Sequence, residues 1–120
     1  MMVAMATVEQ CRAAIDKVSD RIMEVDEASR RKHLVERTVS VTVRDLNHVF
    51  SMRLTMNGLT NVTDSTEAAA GERAQVRITA SSDDLVALAA DQLDFGRALM
   101  SRRVRLDASF SDMMRLRKLL

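Results

Sequence analysis

The segment Ala74–Leu120 constrains the fold most strongly, because its hydrophobic spacing switches repeatedly between the two regular periods. Residues 74–80 alternate apolar and polar side chains, the two-residue period of a half-buried strand. Helical spacing follows over residues 85–89 and again over residues 95–100. Alternation returns over residues 104–106, and an apolar helical stripe closes the chain. The segment therefore predicts strand, helix, short helix, strand and helix, in that order.

Serine and aspartate residues stand where each helix of this segment is predicted to begin. Ser81 or Ser82 can cap the first helix by accepting a hydrogen bond from a free backbone N–H. Asp94 is placed to cap the short helix, and Ser109 or Ser111 the last one. These caps support the predicted order of elements.

A series of short motifs follows in order and without a gap over about forty residues: Asp84-Leu85-Val86-Ala87-Leu88, Leu93-Asp94, Ala98-Leu99-Met100, Val104-Arg105-Leu106 and Met114-Arg115-Leu116 with Leu119. In order and spacing these motifs resemble the C-terminal half of the sterol carrier protein type 2 lipid-binding domain family. The family favours glycine at three positions where this chain has Asp91, Arg102 and Ala108. Aspartate tolerates a left-handed backbone, whereas Arg102 is not expected to adopt one.

An amphipathic helix is predicted to begin after Thr7. Thr7 and Gln10 have the form of a capping box, in which each side chain accepts from the other residue's backbone N–H. Apolar residues then recur every three or four positions, at Val8, Cys11, Ile15, Val18, Ile22 and Val25. We expect this stripe to pack against a sheet. Residues 1–6 are predicted to be a flexible N-terminus, and residues 7–120 a single domain.

Three strands are predicted in the middle of the chain. Residues 39–43 alternate valine with serine and threonine, and residues 50–56 alternate large apolar with polar side chains. The dipeptide Asn57-Gly58 is typical of a two-residue type I′ hairpin. Residues 59–66 should therefore return antiparallel, as an edge strand. Residues 67–72 are predicted to be a loop.

Together these elements predict an α+β fold with about five strands in a mainly antiparallel sheet. Helices are expected to cover one face of that sheet, because each strand alternates apolar with polar side chains. The resemblance implies the same architecture.

Composition argues against several function classes. The chain has 18 basic and 17 acidic residues, and a net charge of +1 gives no global field that attracts nucleic acid. Three phenylalanines are the whole aromatic content, which is too few for base stacking. One cysteine cannot form an internal disulfide, and Met1–Ala6 is too short for a secretory core. We expect a cytoplasmic protein.

Catalytic and metal-binding patterns are weak. His33 and His48 stand alone, without partners at metal-ligand spacing. Cys11 lies within the apolar stripe and is interpreted as a buried structural thiol. No glycine-rich phosphate loop and no nucleophile elbow is recognisable. The sequence therefore predicts no enzyme activity, no cofactor and no metal.

The resemblance implies an apolar tunnel between the sheet and the C-terminal helices, holding a fatty acid, an acyl-CoA or a sterol-like lipid. Nine methionines supply flexible side chains that adapt to such ligands. The residues expected to line the tunnel are Phe50, Met52, Leu54, Met56, Ile78, Leu88, Phe95, Leu99, Met100, Phe110, Met113, Met114 and Leu116. The alternative is that these side chains fill a solid core.

Arg30, Arg31 and Lys32 form a basic run that is either a solvated face or a contact for a ligand headgroup or an anionic membrane. Two other functions stay open. One is an interaction protein with a filled cavity, whose apolar surface binds a second copy or a partner. The other is an accessory enzyme acting on an apolar small molecule, which the weak catalytic patterns disfavour.

Overall fold

A sheet of five strands carries helices on one face in the computed structural model of the chain, which describes residues 6–66 and 74–119, with side chains through Arg115. The elements in chain order are α1 (Val8–Glu24), α2 (Glu27–His33), β1 (Arg37–Val43), β2 (His48–Thr55), β3 (Gly58–Thr66), β4 (Val76–Ala80), α3 (Ser82–Ala89), α4 (Phe95–Met100), β5 (Arg105–Asp107) and α5 (Phe110–Leu119). A single 3₁₀ turn, Arg44–Leu46, joins β1 to β2.

The strands lie in the order β3-β2-β1-β4-β5. β1 pairs in parallel with β4, and every other neighbouring pair is antiparallel. The predicted α+β fold with a mainly antiparallel sheet is therefore confirmed. β3 occupies an edge, as predicted. The predicted loop at residues 67–72 and the N-terminal residues 1–5 lie outside the described residues.

Register places the large apolar side chains of three strands on one face. Val41 pairs with Phe50 in β2 on one side and with Ile78 in β4 on the other. Because paired residues point to the same face of a sheet, these rows form one continuous apolar surface. The intervening serines, threonines and arginines lie on the opposite face. Alternation in the sequence thus decides which face receives the helices.

α1 packs on this apolar face. Its capping box is present: the Gln10 N–H donates to Thr7 Oγ1 at 3.1 Å, and the Thr7 N–H donates to Gln10 Oε1 at 2.8 Å. Within the predicted stripe, Cys11, Ile15 and Ile22 are buried. Ala6, the last residue of the predicted flexible N-terminus, is itself buried, and its N–H donates to Asp83 Oδ1 at 3.2 Å.

The β2–β3 hairpin differs from the predicted type I′ turn. Thr55 pairs with Gly58, so Met56 and Asn57 are the two loop residues. Neither has a positive φ, which a type I′ turn requires of both, and the left-handed residue is Gly58 at φ +89°. Gly58 is also needed for packing, because a Cβ there would lie 2.5 Å from Ser19 Oγ on α1.

The C-terminal segment has the predicted order of strand, helix, short helix, strand and helix. Ser81 caps α3, Asp94 caps α4, and Ser109 Oγ accepts from the Asp112 N–H in the first turn of α5. Ser82 has a different role: it is fully buried, and its Oγ donates to Asp45 Oδ2 at 2.5 Å. That bond fastens the start of α3 to the 3₁₀ turn.

The expectation for Arg102 was wrong. Asp91 has φ 62° and Arg102 has φ 63°, so both are left-handed, whereas Ala108 is not. The reason is that each ends a helix in a Schellman motif. The Gln92 N–H donates to the Ala87 carbonyl at 2.8 Å, and the Arg103 N–H donates to the Ala98 carbonyl at 3.0 Å. The two left-handed residues therefore bracket α4.

Replacing Arg102 by glycine should stabilise the protein by about 0.5–1 kcal/mol, because glycine adopts the left-handed backbone without steric cost. Ala108→Gly is the matched control at the third position where the family has glycine. It should destabilise by a similar amount, since no positive φ is required there. Chemical unfolding of both variants measures the difference; equal losses of stability would contradict the left-handed assignment of Arg102.

Candidate functional site

A small apolar cavity of about 130 Å³ lies between the helix-covered face of the sheet and helices α1 and α3. We call it the inner cavity. Its walls are mostly aliphatic and come from seven elements and the α3–α4 loop: Ile15, Val18, Arg21, Ile22, Val39, Val41, Met52, Leu54, Leu59, Val76, Ile78, Leu85, Leu88, Asp91, Leu93, Asp94 and Phe95.

Five of the residues predicted to line a tunnel do line the inner cavity: Met52, Leu54, Ile78, Leu88 and Phe95. The side chains that α1 and β1 contribute were not included in that prediction. The sequence contained the information needed to include them, because the α1 stripe and the valines of β1 were both predicted to be apolar faces. What the sequence did not show is that these two faces meet around unfilled space.

Three ionisable side chains also line the inner cavity. The Arg21 guanidinium donates to the Ala89 carbonyl at 2.9 Å, at the C-terminal end of α3. That position favours a cation, because the last carbonyls of a helix carry partial negative charge. Asp94 accepts from the Arg97 N–H as the cap of α4, and Asp91 is exposed. Arg21 and Asp94 are thus engaged in holding the helices in place.

A second, wider cleft of about 800 Å³ lies among α4, β5 and α5. We call it the outer cleft. Four of its residues were predicted to line the tunnel: Leu99, Phe110, Met113 and Met114. The others are Arg102, Val104, Arg105 and Leu106.

The two spaces adjoin along α4. Phe95 lines the inner cavity and Leu99, one helical turn later on the same face of α4, lines the outer cleft. The sheet shows the same division, since Ile78 lines the inner cavity and its antiparallel partner Leu106 lines the outer cleft. Only about one layer of side chains therefore divides the cavity from the cleft.

The remaining residues predicted for the tunnel lie elsewhere. Phe50 is fully buried in the core, with the Arg12 guanidinium 6.0 Å from its ring centroid. Met56 is partly buried in the hairpin loop against the core. Met100 is 87% exposed and lines neither space. The side chain of Leu116 lies outside the described residues.

The three residues predicted to contact a headgroup have different surroundings on α2. Arg30 donates to the Val25 carbonyl at 2.9 Å and to the Met56 carbonyl at 2.6 Å, which ties α2 to the hairpin. Arg31 pairs with Glu27 at 2.7 Å. Lys32 is exposed and makes no hydrogen bond or ion pair with the described residues.

A buried carboxylate holds α5, one wall of the outer cleft. Asp112 is only 6% exposed, and its Oδ2 accepts from Arg37 Nε at 3.1 Å, at the start of β1. Its Oδ1 accepts from Arg115 Nη1 at 3.0 Å. Burial alone would raise the pKa of Asp112, but hydrogen bonds from Arg37 and Ser109 hold it below the ordinary value of 3.8.

The described residues contain no group of three or more side chains that could hold a metal ion. Burial, together with Asp45 and Asp83, raises the pKa of the Cys11 thiol to about 11, so it is a poor nucleophile at neutral pH. No helix in the described part of the chain is both long and apolar enough to cross a membrane. The arrangement is suited to enclosing apolar atoms.

The sequence profile of the SCP-2 sterol transfer family matches residues 15–120. A comparison with curated proteins finds no relative that matches the sequence.

Solved structures share the fold. Palmitated sterol carrier protein 2-like 2 from Aedes aegypti is 18% identical with a TM-score of 0.61, over 92% of this chain and 91% of that one. Sterol carrier protein-2 from Aedes aegypti, in complex with a C16 fatty acid, is 15% identical with a TM-score of 0.57, over 97% and 93%. A sec-alkylsulfatase from a Pseudomonas species is 22% identical with a TM-score of 0.59 over 88% of this chain, which spans only 15% of the sulfatase. At these identities the likenesses show the fold.

Asp112→Asn should lower the free energy of unfolding by about 2 kcal/mol at neutral pH, because it leaves Arg37 and Arg115 without their buried carboxylate. The loss in the free energy of unfolding relative to wild type should have its full size above pH 3.8. It should shrink as the pH falls through the lower pKa that Asp112 has in the folded state, because wild-type Asp112 then becomes protonated and uncharged like the asparagine. Chemical unfolding across this pH range measures it. Asp107→Asn is the control, since Asp107 is half exposed and 3.7 Å from Arg105, and should change little. Equal effects at the two sites would show that Asp112 does not hold α5.

Proposed function

The chain belongs to the SCP-2 sterol transfer family, and we propose that it binds and carries an apolar lipid without catalysing a reaction on it. The observation that supports this most is the inner cavity, which lies on the helix-covered face of the sheet and has mostly aliphatic walls. A cavity lined by such side chains stays dry and accepts apolar groups. Two structures of the same fold, both from Aedes aegypti, carry palmitate, which supports a long-chain ligand here.

The inner cavity alone is too small for a long chain. At about 130 Å³ it resembles cavities that accept a single ring, whereas ligand sites usually measure about 300–1,000 Å³. We therefore place the end of the ligand's chain in the inner cavity and its remainder along the outer cleft. This requires α4 to move, because Phe95 at the start of that short helix walls the inner cavity and Leu99, one turn later, walls the outer cleft.

Binding would be driven by removing the ligand's apolar surface from water, at about 25 cal/mol per Å². Such a force does not distinguish strongly between ligands of similar size. Met52 in the inner cavity and Met113 in the outer cleft are flexible enough to adapt to different shapes. A fatty acid, an acyl-CoA and a sterol-like lipid are therefore all candidate ligands.

The likeness to the alkylsulfatase concerns a small part of that enzyme, so its activity is not transferred to this chain. An interaction protein with a filled cavity is the alternative, and exposed Met100 and Phe110 favour a partner surface of some kind. Cytoplasmic localisation, a homodimer and headgroup contacts by Arg30, Arg31 and Lys32 stay predictions.

Leu88→Phe tests the inner cavity, because it adds a ring on α3 where unfilled space exists. It should lower the affinity for a fluorescent fatty acid probe about tenfold or more, with unfolding changed by less than about 1 kcal/mol. Displacement of the probe by palmitate, measured beside thermal unfolding, gives both quantities.

Val86→Phe is the matched control on the same helix. Val86 packs against the core but does not line the inner cavity, so the added ring should cost about 1–3 kcal/mol of stability and leave probe binding intact. If Leu88→Phe binds the probe as wild type does, the inner cavity is not the site. If wild type never binds it, the interaction-protein alternative replaces carriage.

A further inference from the structure

Apolar side chains are exposed on the side of the molecule formed by α4, β5 and α5. Met100 is 87% exposed at the end of α4, and Phe110 is 78% exposed at the start of α5. Met114, one turn after Phe110, is 40% exposed. Phe110 and Met114 line the outer cleft together with Leu99, which is adjacent to Met100. An aromatic ring and a methionine exposed at one cleft, with a second methionine exposed on the helix beside it, call for a functional explanation.

Arginines surround this apolar surface. Arg102 and Arg105 line the outer cleft itself. A neighbouring hollow of about 380 Å³ is lined by the same two arginines together with Arg44 and Arg103. All four side chains are exposed. The charge at this end of the molecule is therefore positive beside the apolar surface.

The ion pairs of these four arginines neutralise only part of their positive charge. Arg103 pairs with Asp84 at 2.5 Å, and Arg105 lies 3.7 Å from Asp107. Asp45, which also lines the hollow, is occupied by hydrogen bonds from Ser82. Arg44 and Arg102 make no ion pair with the described residues.

We propose that Phe110, Met100 and Met114, with Arg44, Arg102 and Arg105 around them, form a docking surface for an anionic lipid bilayer. Apolar side chains enter the boundary between headgroups and acyl chains, while arginines keep their guanidiniums at the lipid phosphates. The geometry suits this because Arg102 and Arg105 line the outer cleft together with Phe110 and Met114, and Arg44 lines the hollow beside it. Docking here would turn the outer cleft towards the membrane.

The charges favour a bilayer over a second copy of this chain. A two-fold symmetric dimer places the same surface on both subunits, so the arginines of one copy would face those of the other. Like charges brought together across an interface oppose association. An anionic bilayer supplies the complementary charge and an apolar interior at the same time.

The test is flotation of the full chain with vesicles made of equal parts phosphatidylcholine and phosphatidylserine, compared with vesicles of phosphatidylcholine alone. Wild type should bind the anionic vesicles and lose binding as salt is added, since surface charges are screened within a Debye length of about 8 Å at physiological ionic strength. Arg102→Gln with Arg105→Gln should weaken binding roughly twenty-fivefold, because each arginine near the surface contributes about fivefold. Phe110→Ser should weaken it as well, and Phe110 is exposed enough for this variant to fold.

Lys17→Gln with Arg53→Gln is the control of equal charge. Lys17 is exposed on α1, and Arg53 lies on the face of the sheet opposite the helices, so this variant should bind as wild type does. Equal loss in the control would show a net-charge effect and overturn the proposed surface. Unchanged binding by the Arg102 and Arg105 variant would also overturn it. A third double variant, Arg31→Gln with Lys32→Gln, tests α2. If vesicle binding is lost only in that variant, docking belongs to α2 instead.

Docking does not depend on lipid carriage, and the two can fail separately. A wild-type protein that binds the fatty acid probe in solution but never floats with anionic vesicles contradicts the docking surface alone. A protein that floats but never binds the probe contradicts carriage alone.

Discussion

The apolar face of the sheet is wider than one helix can cover. Five strands spaced about 4.8 Å apart span about 19 Å, whereas a helix with its side chains is about 10–12 Å across. α1, with 17 residues, lies along the β2–β3 side, where Ser19 Oγ accepts from the Leu59 N–H at 3.0 Å. The other side depends on α3 and α4, which have only eight and six residues. A sheet with this cover keeps unfilled apolar space beneath its helices.

The contacts that fix the helices explain why this space persists. Arg21 on α1 binds the last carbonyl of α3, and Ser82 at the start of α3 binds Asp45 in the 3₁₀ turn, so α3 is fixed at both ends. Asp112 fastens α5 to the start of β1 in the same way. α4 has fewer fixed points: it begins at the cap Asp94 and lies between the left-handed residues Asp91 and Arg102. We therefore expect α4 to be the element that moves if one ligand occupies both the inner cavity and the outer cleft, as proposed.

Much of this fold could be predicted from residue patterns because the forces involved are local. Alternation identified the apolar faces of the strands, and Thr7, Ser81 and Asp94 marked where helices begin. The parallel pairing of β1 with β4 could not be read in this way, since alternation is the same for parallel and antiparallel strands. The left-handed Arg102 was missed because a Schellman motif, and not residue preference, sets its backbone.

The candidate site was predictable only in part. Alternation along β2 puts Phe50, Met52 and Leu54 on the same face; Met52 and Leu54 line the inner cavity there, whereas Phe50 is packed into the core. Whether a residue of this face lines the cavity or is packed in the core depends on its position along the strand relative to α1. Leu99 and Met100 are neighbours in the sequence, yet one lines the outer cleft and the other is exposed. In a helix of six residues, spacing gives too few positions to define a face.

Methionine-methyl NMR during titration with palmitate tests lipid binding in the two spaces most directly. Met52 reports on the inner cavity, Met113 on the outer cleft, and Met23, which is exposed on α1 and lines neither, is the internal control. We predict that the signals of Met52 and Met113 shift together while that of Met23 stays in place. Shifts confined to exposed methionines, with Met52 unchanged at saturating palmitate, would contradict lipid binding beneath the helices.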